Sequence, residues 1–168
     1  TSAGVINIIT KRPDYERATE LEFTTGNYAA YGVAGSYNDA LGESAAFRLY
    51  AAKRERDGFL DVTTGAGPRT ETKDQDQDFH TFRGQLLIEP STDFKVRIIG
   101  DYGRIDEVCC QVSTLVAGPS APAVFAVGGA LDTNFFSYNT FLSQVPRNTV
   151  DNYGGSIQAD WNVGNLTV

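Results

Sequence analysis

The sequence has 168 residues, a formal net charge of −7, a single His, and 17 Gly, 10 Phe and 8 Tyr. Nucleic-acid binding would call for a basic stripe, which this acidic sequence lacks, and the absence of any run of about 18 apolar residues excludes a transmembrane helix. The abundance of Gly and aromatic residues favours a β protein.

Six segments alternate apolar and polar residues with the period of a β-strand. In chain order they cover residues 20–25, 31–38, 45–52, 81–89, 94–102 and 152–161. Leu87 and Ile99 break the alternation by lying on the polar side. The pattern is typical both of a barrel with lipid outside and water inside and of a soluble sandwich, so alone it favours neither.

Short and long links alternate between these segments. The short links are 41–44, 90–93 and 163–165, and the long ones run from about 58 to 78 and from about 106 to 150. Outer-membrane barrels combine short periplasmic turns with long external loops. Structureless links above about 15 residues are uncommon in compact soluble domains. The spacing therefore favours a barrel.

This placement predicts the direction of each strand. Strands near 20–27, 44–57, 93–106 and 166–168 would run outward, and strands near 29–41, 78–90 and 150–162 would run inward. The first hairpin would turn at Gly26-Asn27-Tyr28, where Gly and Asn tolerate positive φ. Phe94 and Trp161 would lie near the periplasmic end, where an aromatic girdle is expected.

The first thirteen residues carry the sharpest motif. A small-residue, Gly-rich stretch leads into a strand of the form V-I-N-I-x-T-K, which resembles the end of the plug domain of TonB-dependent outer-membrane receptors. The residues that carry it are Gly4, Val5, Ile6, Asn7, Ile8, Thr10 and Lys11. The segments 26–28, 56–59 and 83–91 resemble the first barrel hairpin, the outer end of the third strand, and a later strand with its turn. The likeness weakens in the 107–149 loop.

The resemblance implies an all-β fold in which residues 1–13 end the plug domain and residues 14–168 begin an antiparallel transmembrane β-barrel. About seven of 22 strands would be present. With Thr1 first and no Met or signal peptide, we expect the chain to be a fragment of a longer protein.

The resemblance also implies a function. The whole receptor would lie in the outer membrane of a Gram-negative bacterium, in contact with its lipid. It would take up a scarce, bulky nutrient such as a ferric siderophore, driven by the TonB energy-coupling complex through parts outside this chain, with no cofactor of its own. The alternative is a soluble or surface β-sheet domain that binds a partner and has no lumen.

Four aromatic residues in the second long link are candidates for ligand binding, because aromatic rings stack on planar ligands. They are Phe135, Phe136, Tyr138 and Phe141. Packing between loops is the competing explanation. The charged residues of the polar strand faces, such as Arg48, Arg83 and Lys95, are expected to pair with one another or with the plug.

Neither catalysis nor metal binding is expected. His80 is the only His, so a catalytic triad has one candidate base, and we predict that the protein is not an enzyme. The run Asp74, Asp76 and Asp78 is rich in oxygen ligands but lacks the Gly and closing Glu of a calcium loop, so we expect a solvated loop.

The neighbouring cysteines Cys109 and Cys110 are the only two in the chain. Their Cα atoms, about 3.8 Å apart, fall below the usual disulfide range. A bond between them would therefore be strained. We expect them either to have no functional role in this fragment or to pair with cysteines elsewhere in the longer chain, which an oxidising compartment would permit.

Overall fold

A computed structural model describes Gly4 and residues 9–65, 67–110, 116–126, 128–164 and 166–167. Within them no helix is long and apolar enough to cross a membrane. The elements, in chain order, are β1 (Ala18–Thr25), β2 (Tyr31–Ala40), β3 (Ala45–Arg56), β4 (Leu60–Thr63), β5 (Lys73–Asp74), β6 (Gln77–Ser91), β7 (Phe94–Val108), α1 (Ala121–Ala126), a 3-10 helix (Phe135–Ser137), β8 (Asn139–Phe141), β9 (Arg147–Val163) and β10 (Leu166–Thr167).

The main sheet is an antiparallel meander of seven strands in the order β1-β2-β3-β6-β7-β9-β10. Every predicted strand is present, within a few residues of its expected bounds, and the all-β prediction is confirmed. The sheet is open, since β1 and β10 each have one neighbour among the described strands. Gly42 and Gly164, at φ 96° and 63°, supply the left-handed residues of two short turns.

The first hairpin turns at the predicted place, but different residues take positive φ. The N–H of Gly26 donates to the carbonyl of Ala30 at 2.9 Å, which closes a five-residue turn. Its left-handed residues are Tyr28 and Ala29, at φ 60° and 51°, and not Gly26 or Asn27. The turn is therefore fixed by its closing hydrogen bond, which cannot be predicted from the type of any single residue.

The two long links contain short strands that the alternation did not predict. They pair with each other in a second sheet of order β5-β4-β8, where β4 runs antiparallel to β5 and parallel to β8. Leu60, Val62 and Thr140 are buried in this small sheet. Because its strands are two to four residues long and come from distant parts of the chain, no period-2 signal revealed them.

The register of the main sheet gathers the apolar side chains on one face. Phe47, Leu86, Ile98 and Ile157 form one row of cross-strand partners. The next row outward starts at Leu49 and continues through Gly84, Gly100 and Gly155; Phe82, Tyr102 and Tyr153 lie in the row beyond it, and Phe94 pairs with Trp161 at the short-turn end. As predicted, Leu87 and Ile99 lie on the opposite face.

The exposed face of the main sheet is the apolar one. On the central strands Leu49 and Phe82 are 40% and 47% exposed, whereas Asn38, Arg48 and Gln85 on the polar face are 0%, 9% and 6% exposed. A water-soluble sheet normally buries its apolar face. This sheet therefore has the inverse arrangement, with an exposed apolar face and a covered polar face.

Candidate functional site

Residues 9–17 lie across the polar face, near the short-turn end of the sheet. The side-chain amide of Gln85 donates to the carbonyl of Lys11 at 2.9 Å. Tyr15 donates to Glu89 at 2.9 Å, and Arg17 pairs with Asp39 at 2.8 Å. These contacts reach β2 and β6, so the segment spans several strands.

Asn38 is the central contact of this segment. Its side-chain amide donates to the carbonyl of Asp14 at 2.9 Å, to the Asp14 carboxylate at 2.8 Å and to the carbonyl of Glu16 at 2.7 Å. Its Oδ1 accepts from the Asp14 N–H at 3.2 Å. The alternation of apolar and polar residues did not predict this role of Asn38, because any polar residue at that position would fit the pattern.

Replacing Asn38 by Leu is expected to release residues 14–16 from the sheet. The backbone groups of Asp14 and Glu16 would lose buried partners, which costs about 1–3 kcal/mol. Amide exchange at Asp14 should accelerate accordingly. Asn152→Leu, on the exposed polar face of β9, serves as the matched control and should have little effect. Equal exchange in both variants would contradict the role assigned to Asn38.

The plug-end motif is only partly described by the structure. Val5, Ile6, Asn7 and Ile8 lie outside the described residues, and Gly4 is exposed. Thr10 and Lys11 line a cavity of about 330 Å³ against the polar face, together with Glu20, Ser36, Arg48, Tyr50, Thr81, Arg83 and Gln85. The motif thus ends over the polar face of the sheet.

Charged residues around this cavity pair with one another, as predicted. Glu20 accepts from Lys11 and, at 3.2 Å, from Arg48, which also donates to the Ser36 hydroxyl at 2.8 Å. Arg83 pairs with Asp101 at 3.3 Å. These contacts connect the charged polar face with the segment that covers it.

Of the four predicted ligand-binding aromatics, the structure describes the side chains of Phe136, Tyr138 and Phe141. The Tyr138 ring meets Phe59 edge-on at 6.3 Å, whereas Phe136 is 78% exposed. Phe141 packs on Gly65, where an added Cβ would come within 2.6 Å of its ring. The side chain of Phe135 lies outside the part of the structure that is described. Packing between loops therefore accounts for Tyr138 and Phe141.

A different aromatic group forms at the long-link end of the sheet. Phe59 contacts Tyr28 at 6.2 Å as well as Tyr138, and the Arg56 guanidinium lies 5.2 Å from the Phe59 ring centre. Such contacts suit planar or aromatic ligands. Sequence analysis missed this group because its members come from three separate links and share no spacing.

The aspartate run is not a solvated loop, which corrects that expectation. Asp74 is fully buried and pairs with the equally buried Arg69 at 3.0 Å. The Arg69 guanidinium also donates to the carbonyls of Glu71, Lys73 and Gln144, at 2.8, 2.7 and 3.1 Å. Arg69 therefore joins the two long links. No cluster suited to a metal ion occurs among the residues described.

Asp76, in the same run, caps the end of β7. Its carboxylate accepts from the Val108 N–H at 2.6 Å. Burial raises the pKa of Asp76; the Val108 N–H opposes the shift, and the nearby Asp74 adds to it. Burial removes the carboxylate from water, which destabilises its charged form in the folded chain and so favours the protonated form.

The pH dependence of Asp76 follows from that raised pKa. A group with a higher pKa in the folded state contributes stability below its unfolded value of 3.8, and this contribution is lost as the pH rises through the folded pKa. Asp76→Asn keeps the acceptor and removes the titration. The unfolding free energy of wild type relative to Asp76→Asn should therefore decrease between pH 4 and 7, roughly. Chemical unfolding of both variants measures it, and a rising or flat difference would contradict it.

Cys109 and Cys110 form a disulfide with each other, which corrects the expectation of pairing with cysteines elsewhere. Their Cα atoms are 3.7 Å apart. The bond lies directly after β7 and involves no other part of the chain.

His80 lies at the outer edge of the apolar rows, with its ring 5.9 Å from that of Tyr102. Its cross-strand partners are Lys53 and Arg104. No protein-family model, curated protein or solved structure matches the chain.

Proposed function

We propose that this chain is part of a TonB-dependent outer-membrane receptor that actively takes up a scarce, bulky nutrient such as a ferric siderophore. The observation that carries the proposal is the inverted sheet, with an exposed apolar face and a covered polar face. A lipid-facing barrel wall requires this arrangement, because its outside meets hydrocarbon and its inside meets water and protein.

The dimensions of the apolar face support a membrane-spanning wall. On β7 the apolar positions run from Phe94 to Tyr102, nine residues, and on β9 from Tyr153 to Val163, eleven residues. Tilted transmembrane strands need about 9–11 residues. Directly beyond this band, Lys53, His80, Arg104 and Asp151 form a polar row.

Aromatic residues border the band at both ends. The pair Phe94–Trp161 lies at the short-turn end, and Phe82, Tyr102 and Tyr153 lie at the other. Aromatic girdles occupy these two interfaces in outer-membrane barrels. The short turns would then face the periplasm, and the small sheet of the long links would lie outside.

The covered polar face supports a plug domain that ends near residue 13. Residues 9–17 occupy the side of the sheet that would face the lumen, where the last part of a plug would pass into the first barrel strand. Open edges at β1 and β10 would be satisfied by further strands of a closed barrel, since unpaired backbone groups are costly in lipid.

Nutrient recognition would take place at the outer end, and transport would depend on the TonB energy-coupling complex. The group formed by Arg56, Phe59, Tyr28 and Tyr138 lies at that end and offers stacking surfaces together with a positive charge. Its chemistry suits a planar, anionic iron chelate better than a neutral glycan.

Deleting the gene and measuring nutrient uptake tests this proposal. We expect the loss of energy-dependent uptake of one iron chelate, with cobalamin and haem uptake as comparisons, and a protonophore should abolish the same uptake in the wild type. If the protein fractionates with the soluble proteins and uptake is unchanged, the soluble or surface binding domain is correct instead.

A further inference from the structure

A second cavity lies on the polar face, beside the one that Thr10 and Lys11 line. Its volume is about 370 Å³. Residues of the 9–12 segment bound it on one side, and side chains of β6, β7 and β9 form its floor. Thr10 and Arg83 line both cavities, so the two are neighbours under the same covering segment.

The charge of this cavity is opposite to that of the chain. Its described lining contains three guanidinium groups, those of Arg12, Arg83 and Arg97, and one carboxylate, that of Asp101. The whole chain, by contrast, has 14 Lys and Arg against 21 Asp and Glu. The neighbouring cavity repeats the pattern, with three cationic side chains against Glu20. Positive charge is therefore concentrated under residues 9–12.

The one carboxylate pairs with only one of the three guanidinium groups. Arg83 pairs with Asp101 at 3.3 Å. Arg97 donates to the side-chain oxygen of Gln158 at 3.0 Å, which is a neutral acceptor, and its buried Nε has no partner. Within the part of the chain that the structure describes, Arg12 makes neither a hydrogen bond nor an ion pair. Two positive charges of the cavity thus have no counter-ion among the described residues.

We propose that this cavity binds an anion that carries two or more charges on carboxylate or phosphate oxygens. Guanidinium groups present their N–H donors in a planar fork that matches both kinds of oxyanion. The Ser156 hydroxyl adds a donor, and Ile9 and Ile99 add apolar surface. A volume of about 370 Å³ is within the usual range of small-molecule sites.

The site does not depend on the proposed transport function. In a receptor the cavity would face the lumen, but the inference uses only the charge and the contacts of its lining. Anion binding would therefore be found in a soluble domain as well, and its presence or absence is separate from the result of an uptake measurement.

Isothermal titration calorimetry of the protein as encoded, with inorganic phosphate and with malonate, tests the site. We expect saturable binding of at least one of the two anions at low ionic strength. The binding should weaken as sodium chloride is added, because salt screens the attraction between charges. Tighter binding of phosphate would identify a phosphorylated ligand, and tighter binding of malonate a carboxylate ligand. If neither anion binds saturably, the proposal is overturned.

Three variants locate the binding in this cavity. Arg97→Gln should weaken it about tenfold, because a charge-assisted hydrogen bond is lost. Arg104→Gln changes the same strand on the opposite face and should leave the affinity unchanged. Asp101→Asn should increase the affinity, because it removes the carboxylate that competes for Arg83, and a damaged fold would not have that effect. Equal weakening by Arg97→Gln and Arg104→Gln, or no gain in Asp101→Asn, would place the anion elsewhere and refute the proposal.

Discussion

Replacing Leu49 by Arg is expected to destabilise the protein in its membrane by about 2–4 kcal/mol, because the apolar face is proposed to meet the middle of the bilayer. Leu49 pairs with Tyr37 on one side and Gly84 on the other, within the apolar rows of the sheet. The measurement is equilibrium unfolding of the protein as encoded, after refolding into lipid vesicles.

Tyr50→Arg is the matched control for this experiment. Leu49 and Tyr50 are neighbours in β3, lie on opposite faces, and are both 40% exposed. A solvated sheet would tolerate both changes, since exposed surface substitutions usually stay within about 0.5 kcal/mol. A lipid-facing sheet should tolerate only Tyr50→Arg, whose side chain would face the water-filled side. Equal effects of the two substitutions would contradict the membrane assignment.

Replacing Arg69 by Met is expected to open the small sheet, because it leaves the buried Asp74 carboxylate without its partner. Removing one member of a buried ion pair costs about 3–5 kcal/mol. Amide exchange at Val62, whose N–H donates to the carbonyl of Thr72 at 2.9 Å, should therefore accelerate more than about a hundredfold.

Two further variants test whether the ion pair causes that effect. Arg69→Met combined with Asp74→Leu removes both charges and should recover part of the lost protection. Lys73→Met breaks the exposed Lys73–Asp61 pair in the same sheet, 53% and 59% exposed, and should cost less than about 1 kcal/mol. If Lys73→Met is as damaging as Arg69→Met, the burial of the Arg69–Asp74 pair is not what stabilises the links.

The main sheet was predictable from the sequence because its signals are local. A strand such as β7 alternates Val96 and Ile98 with Lys95 and Arg97. Because successive side chains of a strand point to opposite faces, this alternation assigns the apolar and the polar residues to different faces. Alternation does not report which face meets water. That information came from the structure, which shows Ile157 exposed and Asn38 buried.

The long links were not predictable, because their order depends on contacts between distant residues. β4 pairs with β8, which lies almost eighty residues later in the chain, and Val62 is opposite Thr140. Arg69 donates a hydrogen bond to the carbonyl of Gln144 across a similar separation in sequence. Neither contact has a sequence spacing to recognise, and an Asp run close to an Arg looks the same in a solvated loop.

The candidate site was predictable only in part, for the same reason. The resemblance of the first thirteen residues to the end of a plug domain singled out Thr10 and Lys11. The structure places both residues against the polar face. The resemblance did not single out Asn38, whose role depends on the backbone of Asp14 and Glu16 passing over it. Of the predicted ligand group, Tyr138 contacts Phe59 and Phe141 packs on Gly65, and no sequence spacing indicated either contact.

Heat modifiability in the outer-membrane fraction tests the central claim most directly. The protein as encoded would be expressed in a Gram-negative host, its membranes separated, and the outer-membrane fraction run on a denaturing gel with and without boiling. A closed, lipid-facing barrel that resists detergent predicts a band in that fraction whose mobility shifts on boiling. A soluble protein, or a band that does not shift, would contradict the membrane assignment and mean that the exposed apolar face is covered by a protein partner.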